Sequence, residues 1–162
     1  MRSAFDLMSD TSPADSVRQI NAAETIDIRW PVLRAGLPRE SAIFPGDDHP
    51  ATRHFGAFAS AEELVAVASL SIAPLPEYPQ TGNAWQLRGM ATLPAAQRRG
   101  FGSALVRACL AAVIDAGGEI LWCNARTPAR SFYAMHGFSE ISAVFDIPTA
   151  GPHVRMWRNL RL

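Results

Sequence analysis

The chain has 162 residues, 48% of them hydrophobic and 19% charged, a mix that excludes a disordered polymer and suits one domain with its own core. Lys+Arg and Asp+Glu both number 15, so the formal net charge is zero and neither nucleic acid nor an anionic membrane is expected as a partner. No apolar run approaches the roughly 20 residues that span a bilayer, no secretory leader pattern opens the chain, and Cys109 and Cys123 read as buried thiols of a reducing compartment, so a cytoplasmic protein is expected.

Residues 1–24 are rich in Ser, Asp, Ala and Thr and read as a flexible tail, with one short helix around 17–20; the folded domain is expected over 25–162. Ile26 and Ile28 alternate against Asp27 and Arg29, which predicts a strand over 25–33. Pro and Gly punctuate 37–50, a long connection of the kind that often carries function. Two strands follow over 52–58 and 64–72, close enough for an antiparallel hairpin. Three prolines keep 74–83 out of regular structure, and 85–92 reads as a strand stopped by Pro94.

The clearest helix is 102–116, where Leu105, Val106, Cys109, Leu110 and Val113 share one face and Gly117-Gly118 ends it. A buried strand over 119–124 follows, then a short helix over 128–136 with Pro in its first turn and Gly137 at its end. Two last strands are expected over 141–147 and 153–157. Strand–helix–strand implies a parallel pair with a right-handed crossover, while the hairpins imply antiparallel neighbours. The expected fold class is α/β (α+β), a mixed sheet flanked by helices.

The most telling stretch is Gln97-Arg98-Arg99-Gly100-Phe101-Gly102, between the 85–92 strand and the 102–116 helix. A helix start offers unpaired N–H groups and about half a positive charge. Gly100 and Gly102 let the backbone turn sharply and a ligand approach closely, while Arg98 and Arg99 add charge-assisted donors. Together they suit a phosphate or pyrophosphate. A tight turn with solvated arginines would read the same way, and the pattern is neither a Walker loop nor a full dinucleotide fingerprint.

The run from Leu87 to Gly102 followed by a helix resembles motif A of the GNAT superfamily of N-acetyltransferases, whose signature is Gln/Arg-x-x-Gly-x-Gly/Ala. Asn124-Ala-Arg126, then Ala129, Phe132-Tyr133 and Gly137-Phe138, resembles the family's motif B, in the right order and at the right distance. The resemblance implies a GNAT-like central sheet, mixed and mostly antiparallel, with a splayed parallel pair. It implies an enzyme that takes acetyl-CoA as cosubstrate and transfers the acetyl group directly to a primary amine of a small molecule, peptide or protein. A CoA-binding regulatory module of the same fold without catalysis is the alternative. A monomer or homodimer is expected, and no metal.

The same resemblance assigns residues. Amides from Arg98 through Gly100, Phe101 and Gly102 to Ser103 would hold the CoA pyrophosphate, with Gln97 and Arg99 in the same turn. The arm would pair with backbone near Met90, Ala91 and Thr92, where an amide polarises the acetyl carbonyl; Asn124 would touch the arm. Tyr133 matches the acid that protonates the departing thiolate. Some family members carry a glutamate base on the strand before motif A, but Trp85 to Met90 holds no carboxylate. His54, of the residue type best suited to exchange a proton with an amine, is the first substitute; Glu77 or a chain of waters are others, and Asp47 and Asp48 would suit a cationic acceptor.

Overall fold

Asn21-Ala-Ala-Glu24 is a helix-start signal that the alternation of Ile26 and Ile28 obscures. In the computed structural model, which describes residues 16–161, the Asn21 side chain accepts from the Glu24 amide at 2.9 Å. The Glu24 carboxylate in turn accepts from the Asn21 amide at 3.1 Å, closing a capping box. Helix α1 (Ala22–Leu33) follows, where a strand over 25–33 is expected from sequence. Its buried residues, Thr25, Ile28 and Arg29, fall at helical spacing. Val17–Ile20 reverses the expectation in the other direction: it is strand β1, not a helix. Segment 16–24, placed with the tail by composition, thus contributes a strand and a helix start; the rest of that tail, 1–15, lies outside the described residues.

β1 pairs antiparallel with β2 (Arg53–Ser60), which turns through a tight hairpin into β3 (Glu63–Ile72), as expected. β4 (Ala84–Thr92) lies antiparallel to β3, and after α2 (Phe101–Asp115) the chain returns as β5 (Ile120–Arg126), parallel to β4. Helix α3 (Arg130–Met135) leads to β6 (Ser139–Glu140), β7 (Phe145–Ile147) and β8 (Gly151–Asn159). The single strand expected over 141–147 is two short pieces instead, both paired to β8. The sheet runs β1-β2-β3-β4-β5-β8-β6, with β7 also on β8.

One face of the sheet packs on the apolar stripe of α2 through Leu70, Leu87, Leu105, Val106, Cys109 and Leu121, all at most 2% exposed. The opposite face carries α1 through Ile20, Ile28, Phe58 and Val67. Fully burying such a side chain is worth about 1.5–3 kcal/mol, so these two faces hold the sheet between its helices.

Two irregularities in β4 shape the site. Val67 pairs with Ala91 and Ser69 with Arg88, so β4 holds one residue more than β3 between those pairs, a bulge at Gly89–Met90. Gly89 has φ +62°, and a Cβ there would stand 2.8 Å from Nε of Arg29, so only glycine fits. The parallel ladder with β5 covers only Ala84, Trp85 and Gln86. Beyond Gln86 the strands part, and the crevice opens at the carboxyl ends of a parallel pair, where open α/β sheets bind ligands.

Candidate active site

Two clefts meet where β4 and β5 part. The first, enclosing about 660 Å³, lies between the end of β4, the turn into α2 and helix α3. Met90, Ala91 and Thr92 line it from β4; Gln97, Arg98, Gly100, Phe101, Gly102 and Ser103 line it from the turn; Tyr133 closes the far side. The turn is held by Nε2 of Gln97 donating to the Thr92 carbonyl at 3.2 Å. Arg98 (φ +61°) and Gly100 (φ +88°) both adopt the left-handed region, an uncommon choice for an arginine that marks a constrained turn. Gly100 occupies the cap position of α2 and no side chain among the described residues caps the helix, so the first-turn amides keep their capacity for an outside acceptor. Arg99 is the exception in the turn: it is exposed, stacks 5.2 Å from the Phe101 ring and does not line the cleft.

The second cleft, about 290 Å³, lies on the α1 side of the same opening. Arg34 and Phe44 line it from the α1 side, Arg88 from β4, Asn124 and Arg126 from β5, and His153 from β8. Asn124, expected along the CoA arm, therefore faces this second cleft, where its Oδ1 accepts from Nε of Arg155 at 3.2 Å. Met90, Ala129 and Tyr133 line both clefts and mark their junction.

Tyr133 is 7% exposed, with its hydroxyl 3.6 Å from the Met90 sulfur. Burial, with the Cys123 and Cys109 thiols adding, raises its phenol pKa well above the ordinary value. The group stays protonated at any physiological pH. Cys123 itself is buried and its thiol pushed up to about 12, which removes it as a nucleophile.

His54 lies outside both clefts, contrary to its expected place as base. It is 4% exposed, and both ring nitrogens are engaged. Nε2 is 2.9 Å from the Asp47 carbonyl, which only accepts, so Nε2 carries the hydrogen. Nδ1 then accepts from the Ser69 hydroxyl at 2.6 Å, and Ser69 accepts from Arg29 at 2.8 Å. Asp47 is no receptor for a cationic acceptor either. Its carboxylate takes Arg29 at 2.5 and 3.2 Å, Arg88 at 3.1 Å and the Phe44 amide at 2.8 Å. Burial works against that charge, but the Arg29 and Phe44 hydrogen bonds and the arginine charges outweigh it and hold the pKa below the ordinary range. Glu77 is paired with Arg155 at 2.6 Å and does not line the second cleft.

The histidine that reaches the cleft is His153. Its Nδ1 is 2.7 Å from the Gly151 carbonyl, which fixes the hydrogen on Nδ1 and leaves Nε2 as the basic nitrogen of the neutral ring. Its position opposite Arg126 in the β5–β8 ladder brings it there, a pairing that local sequence does not announce.

Residues 17–138 match the model of the acetyltransferase (GNAT) family. An uncharacterized N-acetyltransferase of Bacillus subtilis, YitI, is 32% identical over 145 residues, covering 90% of this chain and 96% of that protein. The crystal structure of ElaA from Escherichia coli superposes with a TM-score of 0.72 at 18% identity, over 88% of this chain and 98% of that one. An aminoglycoside 6'-N-acetyltransferase complexed with coenzyme A superposes with a TM-score of 0.68 at 14% identity, over 90% and 97%. At such identities the two structures establish the shared fold.

Proposed function

The chain belongs to the acetyltransferase (GNAT) family and is an N-acetyltransferase; on that premise we propose how its two clefts divide the reaction. Acetyl-CoA occupies the first cleft and the amine the second, and the observation that carries this is their junction at Met90, Ala129 and Tyr133. The first cleft fits the cosubstrate: an uncapped 15-residue helix start for the pyrophosphate, then a strand edge freed by the splay for an extended arm. Acetyl-CoA supplies an activated acyl carbonyl and a thiolate leaving group.

The residues of the chain then divide the proton work. Nε2 of His153 takes the proton of the incoming ammonium, leaving a nucleophilic amine. A backbone amide at the β4 bulge, beside Met90, faces the carbonyl oxygen and stabilises the charge it gains as the C–N bond forms. Tyr133 holds its proton where the C–S bond breaks and gives it to sulfur. The phenol recovers a proton from the acetylated nitrogen, so one proton per turnover leaves through His153 to solvent.

The test is thiol release from acetyl-CoA with an amine panel. His153→Gln is expected to lower kcat/KM by about 100-fold or more while CoA affinity by calorimetry is little changed. His54→Gln, outside the cleft, lowers stability and leaves kcat/KM of the folded variant nearly unchanged. An unchanged kcat/KM in the His153 variant would remove it as base.

A further inference from the structure

Three guanidiniums line the second cleft, those of Arg34, Arg88 and Arg126, and a fourth, Arg29, is buried on the carboxylate it shares with Arg88; among the described residues that one carboxylate answers all four. Arg29 and Arg88 share Asp47. Arg34 and Arg126 make no ion pair among the described residues. Both donate to the Leu33 carbonyl, Arg34 at 3.1 Å and Arg126 at 3.5 Å. That carbonyl ends α1, where the helix dipole offers about half a negative charge against two full positive ones. The imbalance is local, because the chain as a whole is neutral.

The donors are also under-used. A guanidinium carries five N–H groups. Arg126 gives one to Leu33, and Arg34 adds only the Ser41 carbonyl at 3.3 Å. Nε of Arg88 is buried with no hydrogen-bond partner among the described residues, so this guanidinium is not fully satisfied within the fold. Burial lowers the Arg34 pKa, with the charges of Arg126 and Arg29 adding. Burial lowers that of Arg88 too, with Asp47 opposing and Arg29 adding. Among the described residues, no Asp or Glu lines the cleft.

A polyamine or a lysine side chain would enter against this field, whereas an anion would complete it. We propose that the acceptor is a small amine bearing its own anionic group, carboxylate or phosphate, held by Arg34, Arg88 and Arg126 while its nitrogen is presented at the junction with Tyr133. The proposal rests on the acetyltransferase reading above, and the bonds exchanged are those given there. A volume of about 290 Å³ sits at the small end of ligand pockets, the size of a free amino acid or an amine phosphate.

The experiment measures thiol release from acetyl-CoA by the full chain with matched pairs. L-amino acids are set against their amides, O-phosphoethanolamine and glucosamine 6-phosphate against ethanolamine and glucosamine, and spermidine is added. An anionic amine is expected to exceed its neutral partner about 100-fold in kcat/KM, and the two arms tell carboxylate from phosphate. Arg126→Gln and, separately, Arg34→Gln are expected to lower that value about 10- to 100-fold and to lower the neutral partner's value distinctly less. CoA binding by calorimetry confirms that each variant is folded. Preference for spermidine or a neutral amine, or equal losses for both members of a pair, overturns the proposal and leaves the acetyltransferase reading standing. No thiol release with any amine overturns both.

Discussion

The two clefts that meet at Tyr133 are built by different means. The first is made of backbone: a left-handed Gly100, an uncapped helix start and a strand edge that β5 abandons after Gln86. Its lining lies within the single stretch from Met90 to Ser103, apart from Val32 and the wall from Pro128 to Met135. The second is made of side chains that packing gathers from distant parts of the chain: Arg34, Arg88, Arg126 and His153, with the buried Arg29–Asp47 pair beneath them. Backbone donors accept any molecule with the right phosphate and arm, so the first cleft suits a cosubstrate common to a family. Charge placed by tertiary packing depends on residues far apart in the chain, and under the proposed division of the reaction it is this second cleft that would choose the acceptor.

The sharpest break in that comparison comes at the junction. Tyr133→Phe is expected to lower kcat by about 10²–10⁴-fold with CoA affinity little changed; equal rates would take the acid role away. Next comes the ion pair supporting the second cleft. Asp47→Asn leaves Arg29, 0% exposed, without its counter-charge, and is expected to cost about 3–5 kcal/mol of unfolding free energy, read from the urea midpoint. A loss under about 1 kcal/mol would mean that the pair is not what holds the 37–50 connection to α1.

The same carboxylate predicts a pH dependence. The Asp47 pKa is depressed in the fold, so its contribution to stability is complete above the ordinary carboxylate value of about 4. It is lost as pH falls from there through the lower folded value. Urea titrations between pH 6 and 2 should show stability declining only below about 4 from this source, and the Asp47→Asn variant should lack that part of the decline. The smallest effect belongs to the first cleft. Gly100→Ala forces a Cβ into the left-handed region at a cost of about 1–2 kcal/mol, and weaker CoA binding by calorimetry is expected with it. Unchanged affinity in the folded variant would separate this turn from the pyrophosphate.

Much of the architecture was legible where a signal is local. The α2 stripe, the β2–β3 hairpin and the Gly117 stop depend on neighbouring residues, and each lies within a residue or two of its expected place. The N-terminal region misled for a physical reason. Ile26 and Ile28 alternate as a strand would, yet Thr25, Ile28 and Arg29 are the residues that α1 buries, and the Asn21–Glu24 capping box decides between the two periods. The box was present in the sequence as a start signal and outweighs four residues of alternation. His54 misled differently. A histidine within a strand carries no mark of whether its nitrogens are free, and here Ser69 and the Asp47 carbonyl take both. His153 carried no mark either, because its place beside Arg126 comes from a strand pairing across 27 residues of chain.

Sequence by itself determined the family, the turn at 97–102 and the tyrosine at 133, since motif order and glycine placement are properties of adjacent residues. Tertiary structure alone decided which histidine reaches the cleft, that Asp47 is committed to Arg29 and Arg88, and that Arg34 and Arg126 stand without a carboxylate among the described residues. Those outcomes depend on which charges meet after folding. In a chain whose 15 basic and 15 acidic residues sum to zero, composition conceals any local excess that packing creates.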